Sequence, residues 1–591
     1  MTDVDVVRSY SFTDKKGPRQ NMAEKVDTIH LENVDLEEED SENFSWNLNV
    51  CLNVLALYVT NFATVWGYGI PGSCLAFIEK EYPGNPTLSI WVAVLPPICI
   101  CATNGWVSEL SDIFDRKSFL LIGSAFGFVG MMILARGTSL NMLIGGQVFN
   151  GIALSLTYLA TALLAEVVPK RQRGPILGAT IMLAAASATA GQLAAGAFLE
   201  HNVLGLNRGW RVDMYIGAGI SACSLILIFF FYTPGKRPNP SHLSTKERLL
   251  KIDWIGFALW TAGLLTFLLG LTFGGNPDPW SSPKVLSLLI VGLGIIGVFT
   301  IWEWKFVTHG LFDRDLFQHR NFSLTLVLNF VEGMVTTSAA AFFPQITLNI
   351  FTTNSLRSIV LNLGFGTSAV ASSIFTAGLL YKTKDAKRPT IICTLILTLA
   401  AGLFTIIHPG INLAAFVVPS MLVGFVSGCV GVTIPLIASL CTPDRLIATS
   451  VGLGQVIRGL GASLGPVIFA QVFSSKLKSS LPTLTATAMV KAGLPVTSVA
   501  QFLEDALGAN PENLPNVPGF SLKVLAAFEE GLKESYAIGF RYLFISLIPF
   551  AAITVLISVF LTSTKEQMSL KVASAVEDRR HKHVPTKAEE A

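Results

Sequence analysis

The stretch "SELSDIFDRKSFLLIG" (Ser108 to Gly123) places three acidic and two basic residues in one short segment between two long apolar runs. Charged side chains are costly inside a lipid bilayer, so a cluster of both signs marks a place where the chain returns to water. The apolar runs on either side are then two membrane crossings. Counting and orienting all such runs therefore decides the fold.

The composition indicates a membrane protein. The chain of 591 residues is 51% hydrophobic and 14% charged, with a mean hydropathy of +0.56, whereas soluble domains carry about 25% charged residues. The eight cysteines lie in or beside apolar runs, so neither a disulfide framework nor a metal site is expected. The chain lacks the G-x-x-x-x-G-K-[ST] sequence that binds ATP. We expect no enzyme activity, no cofactor and no nucleic-acid partner.

Runs of about 20 apolar residues, enough to cross the hydrocarbon layer, recur along the chain. We predict an all-α polytopic membrane protein with fourteen spans. The spans are predicted at about residues 48–70, 88–110, 118–137, 141–167, 175–199, 212–233, 254–274, 285–305, 322–346, 357–380, 389–408, 413–440, 447–473 and 539–562. We refer to them as spans 1 to 14.

The spans divide the chain into successive regions. We predict a disordered acidic tail over residues 1–45, a six-helix bundle over 46–233, a linker with two extra spans over 234–320, a second six-helix bundle over 321–562 and a tail over 563–591. The second bundle contains a long loop at 475–538 with two amphipathic stretches. This loop is either a lid or a spacer, and the spacer is favoured.

An even number of spans places both termini on one side of the membrane. If that side is cytoplasmic, the short inner loops hold roughly three times as many Lys and Arg residues as the short outer loops. We therefore expect cytoplasmic termini. The cell membrane is the expected location, with the vacuolar membrane as the alternative.

The opening stretch then forms the inner turn between spans 2 and 3. It resembles the loop motif of the major facilitator superfamily: Asp112 matches the motif's Asp, and Arg116 and Lys117 match its closing basic pair. Ser108 and Asp115 stand where the family has Gly. The resemblance implies a conformational latch formed by Asp112, Asp115, Arg116 and Lys117. The alternative is a solvated loop with ordinary anchoring charges.

A degenerate copy of this turn occurs in "LLYKTKDAKRP" (Leu379 to Pro389), between spans 10 and 11. Six spans precede and six follow the central pair, spans 7 and 8. This layout resembles that of the fourteen-span fungal drug:proton antiporters. The resemblance implies a major facilitator fold of two six-helix bundles plus two linker spans.

Two further segments extend this resemblance with departures. In span 4, Gln147 stands where a family motif begins with Arg, which argues against a proton-coupling role at that position. In span 5, "SATAGQLAAG" is similar to the Gly-rich antiporter motif, with Gln192 in place of its Pro. The small positions of that motif are filled by Ser187, Gly191 and Gly196. We predict close helix packing there.

The segment "TPDRLIATSVGLGQVIRGLGASLGPVIF" (Thr442 to Phe469) resembles the fungal trichothecene efflux pump family, a branch adjacent to the siderophore–iron transporters. Gly454, Arg458, Gly461 and Gly465 recur at helical spacing, so one flank of span 13 is small and carries one cation. The glycines are predicted to serve helix packing. An Arg at mid-membrane is expected to face the bundle interior or water.

The family resemblance, over roughly residues 45–565, implies a function. The chain is expected to be a monomeric transporter that exports a mostly apolar secondary metabolite, mycotoxin or drug from a fungal cell by alternating access. A proton gradient is its energy source, and its partners are the small-molecule substrate, protons and the bilayer. The alternative is a symporter that imports ferric siderophores with protons.

Acidic residues within the predicted spans are few. Glu332, about ten residues into span 9, is the clearest, and an apolar setting favours its neutral form. Together with Arg458 it is the candidate for proton coupling, and a structural hydrogen-bonded acid is the alternative. Glu166 is expected at the membrane interface, and Asp213 is expected to pair with Arg211.

Polar and aromatic residues well inside the spans are the candidates for substrate contact. They are Asn61, Trp66, Asn150, Tyr158, Gln192, Asn329, Asn362 and Gln455. A few polar groups in a mostly apolar cavity suit an uncharged natural product. Each of these residues could equally serve as an interhelical hydrogen-bonding group.

Overall fold

The structure is a computed structural model of the chain. It describes residues 46–82, 86–205, 208–233, 252–275, 278–307, 314–352, 354–443, 446–507 and 511–565. The predicted tail over residues 1–45, most of the tail over 563–591 and most of the connection between spans 6 and 7 lie outside these ranges.

Fourteen helices among the described residues are long and apolar enough to cross a membrane, which confirms the predicted number of spans. Spans 1 to 8 are the helices Leu48–Ser73, Pro86–Ile113, Arg116–Arg136, Leu140–Thr157 with Leu159–Val167, Arg173–Glu200, Trp210–Phe231, Trp254–Phe273 and Pro283–Lys305. Spans 9 to 14 are Arg320–Ile346, Ser355–Thr383, Lys387–Phe404, Ala414–Cys441, Ile447–Lys491 and Leu522–Val559.

Short helical segments connect or extend the spans. Two are α-helices, Leu75–Glu81 and Val499–Leu507. The others are Lys170–Gln172, Arg314–Gln318, Val496–Ser498 and Pro511–Asn516, which are 3₁₀ turns, and the π-helical Thr347–Phe351 at the end of span 9. Backbone polar groups inside a bilayer must be satisfied within the segment, which explains the predominance of continuous helices.

The two six-helix bundles share structural details. In the first bundle, the side chain of Asn53 on span 1 accepts a hydrogen bond from the backbone N–H of Thr233, just after span 6, at 2.7 Å. In the second bundle, Asn321 on span 9 accepts one from the backbone N–H of Thr562, just after span 14, at 2.9 Å. In each bundle, a side chain of the first helix is thus hydrogen-bonded to the backbone just after the last helix.

The turns after the second helix of each bundle also correspond. Asp115 accepts a hydrogen bond from the backbone N–H of Lys117 at 3.3 Å, and Asp385 accepts one from the backbone N–H of Lys387 at 3.3 Å. An Asp side chain at this position caps the orphan donors of the next helix. Asp115 is the N-cap of span 3, whereas Asp385 lies one residue before Ala386, the N-cap of span 11. The degenerate sequence copy therefore retains an Asp hydrogen bond to the start of the next helix, displaced by one residue.

The bundles meet along two pairs of helices, span 5 with span 10 and span 2 with span 13. The extra pair, spans 7 and 8, packs mainly against span 2, where the Trp260 indole donates to the Cys101 carbonyl at 3.3 Å and Thr261 donates to the Ala102 carbonyl at 3.0 Å. We call the side that holds the turns between spans 2 and 3, 4 and 5, 10 and 11, and 12 and 13 the basic face.

On the opposite face, span 13 is a helix of 45 residues, about 67 Å long at 1.5 Å per residue. That length is roughly twice the hydrocarbon thickness, so the helix continues outside the membrane. With Val499–Leu507 and the start of span 14 it forms a small extramembrane subdomain. The core of this subdomain consists of Met489, Leu494, Phe502, Val517, Val524 and Phe528.

Candidate functional site

The two residues proposed for proton coupling are bound to each other. The Arg458 Nε lies 2.5 Å from one carboxylate oxygen of Glu332, and its Nη2 lies 3.1 Å from the other. The Glu332 side chain is 5% exposed and the Arg458 side chain 36%. Such a two-point pair is charge-assisted and geometrically specific. The sequence proposed each residue separately, and the structure joins them.

The predicted glycine flank of span 13 makes this approach sterically feasible. A β-carbon on Gly461 would collide with the Phe330 carbonyl of span 9, and one on Gly465 would collide with Met334. Close packing of the two backbones therefore depends on glycine at both positions. Gly454 lies against Asn329 on the same side of the helix.

Arg458 also faces the first bundle. Tyr68 of span 1 and Tyr158 of span 4 lie near enough to interact with its charge. Both tyrosines and Arg458 are partly exposed, although all three lie within spans. A partly exposed cation that interacts with groups of both bundles lies at the interface between them. Tyr158, one of the predicted substrate contacts, is thereby placed at this site.

The other predicted substrate contacts are distributed differently. Asn61 donates to Thr161 at 3.3 Å, and the Trp66 indole donates to a span 6 carbonyl at 3.3 Å. Asn150 and Asn362 likewise donate hydrogen bonds inside their own bundles. These four are interhelical or local hydrogen-bonding groups in this conformation. Gln192 is exposed, Asn329 is buried and Gln455 is partly buried.

Span 5 packs against span 1 through small residues. Ser187 donates to the Phe62 carbonyl of span 1 at 2.8 Å, and a β-carbon on Gly191 would meet Ile70. Gly196, the third small position, is also buried. The packing surface of span 5 toward span 1 therefore includes this motif.

Gln147, which stands where the family motif has Arg, is fully buried in the first bundle. Its amide donates to the Val92 carbonyl at 2.6 Å, and its oxygen accepts from Asn150 at 3.1 Å. Gln147 thus bridges spans 2 and 4 as a neutral structural group.

At the basic face, the predicted latch residues make contacts within the first bundle. Arg116 forms a two-point ion pair with Glu166, with its Nη2 3.0 Å from Oε1. Lys117 donates to the Phe229 carbonyl at 2.9 Å, and Asp115 caps span 3. The Asp112 side chain lies outside the described part of the chain. Glu166, expected at the interface from sequence, is a buried partner of Arg116.

Other contacts at this face cross between the bundles. Arg173 at the start of span 5 is fully buried and donates to the Ser439 carbonyl at the end of span 12 at 2.9 Å. Asn104 donates to the Gly452 carbonyl at 3.1 Å. Ser108, which replaces a family Gly, lies directly against Gly452. The small residue on span 13 therefore makes room for the extra hydroxymethyl group on span 2.

The contact of Arg173 with the second bundle could not be predicted from its place in a basic turn, where Lys and Arg residues indicate only the orientation of the chain in the membrane. The distinguishing signal of Arg173 is position: it is the first residue of span 5, followed by Gly174, whose β-carbon would press on Leu380 of span 10. A cation followed by a small residue at a helix start is a pattern that would have suggested a close helix contact.

At the opposite face, Glu81 holds a compact group of donors. It accepts hydrogen bonds from Arg211 at 2.9 Å and from the Trp210 indole at 3.2 Å, and it forms an ion pair with Arg208 at 3.1 Å. Arg211 also donates to the Tyr82 hydroxyl, and burial raises the pKa of Tyr82. The expected Asp213–Arg211 pair is absent from the described residues, because the loop after span 1 brings Glu81 to the arginine instead.

Comparisons with known proteins agree with the fold and with the sequence resemblance. A family model described as "Fungal trichothecene efflux pump (TRI12)" matches residues 99–588. The "Trichothecene efflux pump TRI12" of Fusarium sporotrichioides is 24% identical, over 81% of this chain and 80% of that protein. An "Acurin A biosynthesis cluster MFS-type transporter" of Aspergillus aculeatus is 29% identical over 73% of this chain and 76% of that protein.

The "MFS-type transporter ucsD" of Acremonium sp is 28% identical to this chain. The alignment covers 63% of this chain and 62% of that protein's length. Among solved structures, the proton:xylose symporter XylE aligns with a TM-score of 0.55 at 11% identity, over 89% of this chain and 98% of that chain. This likeness shows the major facilitator fold.

Proposed function

This chain belongs to the fungal trichothecene efflux pump family, and from that membership we propose that it exports a mostly apolar secondary metabolite, mycotoxin or drug from a fungal cell in exchange for protons. Relatives named as efflux pumps favour export over the import of ferric siderophores. We place the transporter in the cell membrane as a monomer with cytoplasmic termini, so the basic face is the inner face.

The observation that supports the coupling is the Glu332–Arg458 pair at the interface of the two bundles. A buried carboxylate needs its cation, because an unpaired charge in an apolar setting costs several kcal/mol. When a proton neutralises Glu332, that need disappears and Arg458 can turn toward Tyr68 and Tyr158. The guanidinium then occupies space that the substrate needs. Proton and substrate thereby exclude each other, which is the requirement for exchange.

The contacts at the basic face supply the second requirement, alternating access. The Arg173–Ser439 and Asn104–Gly452 hydrogen bonds hold the two bundles together on that side. Opening the interface between the bundles to the basic face breaks both bonds. Each is a single bond to a backbone carbonyl and contributes about 0.5–1.5 kcal/mol when neutral, or more for the charged Arg173. Such contacts can be broken and re-formed in a transport cycle.

The proton gradient is sufficient for export. A proton moving through 100 mV releases about 2.3 kcal/mol, and one pH unit adds about 1.4 kcal/mol. Together these sustain a gradient of a neutral substrate of about 500-fold for each proton exchanged. ATP is not needed.

Inside-out membrane vesicles with an acidified lumen test the proposal. We expect uptake of a radiolabelled trichothecene that Glu332→Gln or Arg458→Ala abolishes. The matched controls are Glu504→Gln and Arg541→Ala, which change exposed charges outside the pair, and they should keep full uptake. Ferric siderophore movement without toxin uptake, seen only in right-side-out vesicles, would establish the import alternative. Uptake unchanged by Glu332→Gln would exclude this pair from coupling.

A further inference from the structure

Asp213 is a buried carboxyl group that the mechanism above does not use. It lies in the first turn of span 6, is 0% exposed, and neither of its carboxylate oxygens has a hydrogen-bond partner among the residues that the structure describes. An ionised carboxylate that has neither a cationic partner nor contact with water is strongly disfavoured in an apolar interior, and it takes up a proton instead. Ionisable groups placed in this way within a membrane are usually functional.

The surroundings of Asp213 supply no compensating charge. The Trp66 indole of span 1 donates to the backbone carbonyl of Asp213 at 3.3 Å and leaves the carboxyl group free. Span 1 carries no charged residue at all. On the other neighbouring elements, Arg208 and Arg211 both pair with Glu81, and Glu79 accepts a hydrogen bond from Ser89. The remaining acidic, basic and histidine residues that the structure describes at this end are exposed: Arg136, Glu200 and His201.

The face of span 6 that carries Asp213 also carries, two helical turns further on, a residue that lines a small cavity. Gly217 and Ser221 follow Asp213 at i+4 and i+8, so the three residues share one face of span 6. Ser221 lines a cavity of about 20 Å³ between spans 1, 3, 4 and 6, which is room for about one water molecule. Gly217, between them, has no side chain, and the end of Met131 lies against it.

Hydroxyl groups continue from this cavity toward the basic face. Thr64 donates to Thr157 at 2.7 Å beside the cavity. One turn further along, Ser224 lies 2.9 Å from the Thr60 hydroxyl and 3.1 Å from the Ser124 hydroxyl. Hydroxyl groups and single waters can both donate and accept, so such a series can pass a proton.

We propose that Asp213 binds a proton that is exchanged during the transport cycle, giving the first bundle a proton site separate from Glu332 in the second. The step is a proton transfer: a hydronium ion that reaches Asp213 gives a proton to a carboxylate oxygen and leaves as water, and the reverse transfer to water returns the proton. The use of the Asp213 proton in transport rests on the proposed export function. With that function, two protons move for each substrate molecule.

Infrared titration of the full chain in lipid nanodiscs tests proton binding without any substrate. We expect a carboxylic-acid carbonyl band that decreases reversibly as the pH is raised and that is absent from Asp213→Asn. The matched control is Asp278→Asn, which removes a partly exposed carboxylate 2.8 Å from Lys284, and it should keep the band. Identical spectra for Asp213→Asn and the wild type would overturn the proposal. A band that neither titrates nor exchanges in D₂O would also overturn it.

Use in transport is measured as a steady-state gradient in proteoliposomes with the voltage held at zero. With one pH unit imposed, two protons per neutral trichothecene sustain about a 100-fold gradient and one proton about tenfold. We expect about 100-fold for the wild type and for Asp278→Asn, and about tenfold for Asp213→Asn. A tenfold wild-type gradient, or no difference between the variants, would contradict a transported second proton. No accumulation by the wild type would contradict export instead, and the infrared titration would still decide proton binding at Asp213.

Discussion

Removing Arg458 should lower the free energy of unfolding, because Glu332 loses its cationic partner. In Arg458→Ala, the carboxylate keeps its buried position, 5% exposed, and loses both hydrogen bonds. Breaking a fully buried pair by removing one partner costs about 3–5 kcal/mol. Because the Arg458 side chain is 36% exposed, water replaces part of the lost interaction, and we expect a loss of about 2–3 kcal/mol in the free energy of unfolding.

The assay is a double-mutant cycle. Unfolding is followed in nanodiscs for the wild type, Arg458→Ala, Glu332→Gln and the double variant. Since Gln at 332 carries no charge, adding it to Arg458→Ala removes the orphaned carboxylate, and the double variant should recover about 1–2 kcal/mol. Strictly additive losses in the double variant would refute the pair as an energetic unit.

The remaining predictions concern packing and the basic face. Gly461→Val should destabilise the fold by about 1–3 kcal/mol, because the valine side chain would collide with the Phe330 carbonyl. The control is Gly294→Val, at a glycine with open space around it, which should leave the melting temperature unchanged. Asn53→Ala and Asn321→Ala should each cost about 1–2 kcal/mol and add in the double variant, since the two caps lie in separate bundles; strong coupling between them would argue against independent bundles. Arg173→Ala should increase the accessibility of a cysteine introduced at Ser439 to a thiol reagent added on the basic face, whereas Arg541→Ala should leave it unchanged.

Much of the architecture could be predicted because the bilayer imposes it. The number of spans follows from hydropathy, and the small flank of span 13 follows from glycine spacing. The extent of the helices could not be predicted in the same way. Hydropathy shows where the hydrocarbon layer ends, and span 13 continues as a helix to Lys491 beyond that point. The segment at 475–538, expected as a loop, is therefore largely helical, and whether it acts as a lid or a spacer stays a prediction.

Pairings of charged residues were the hardest to foresee. Glu332 and Arg458 are 126 positions apart, and Glu81 and Arg211 are 130 apart, so only the fold brings them together. Sequence proximity suggested that Arg211 pairs with Asp213, but on one helix residues two positions apart point in different directions. That difference in direction leaves Asp213 without a partner among the described residues and directs Arg211 to Glu81.

The most direct test of the central claim is the direction of proton movement during toxin flux. Proteoliposomes that contain the full chain and a trapped pH-sensitive dye are given an outward trichothecene gradient and no initial pH difference. We expect the lumen to acidify as the toxin leaves, and we expect Glu332→Gln to show no acidification. Toxin efflux without a pH change, or with lumenal alkalinisation, would contradict proton exchange at the Glu332–Arg458 pair.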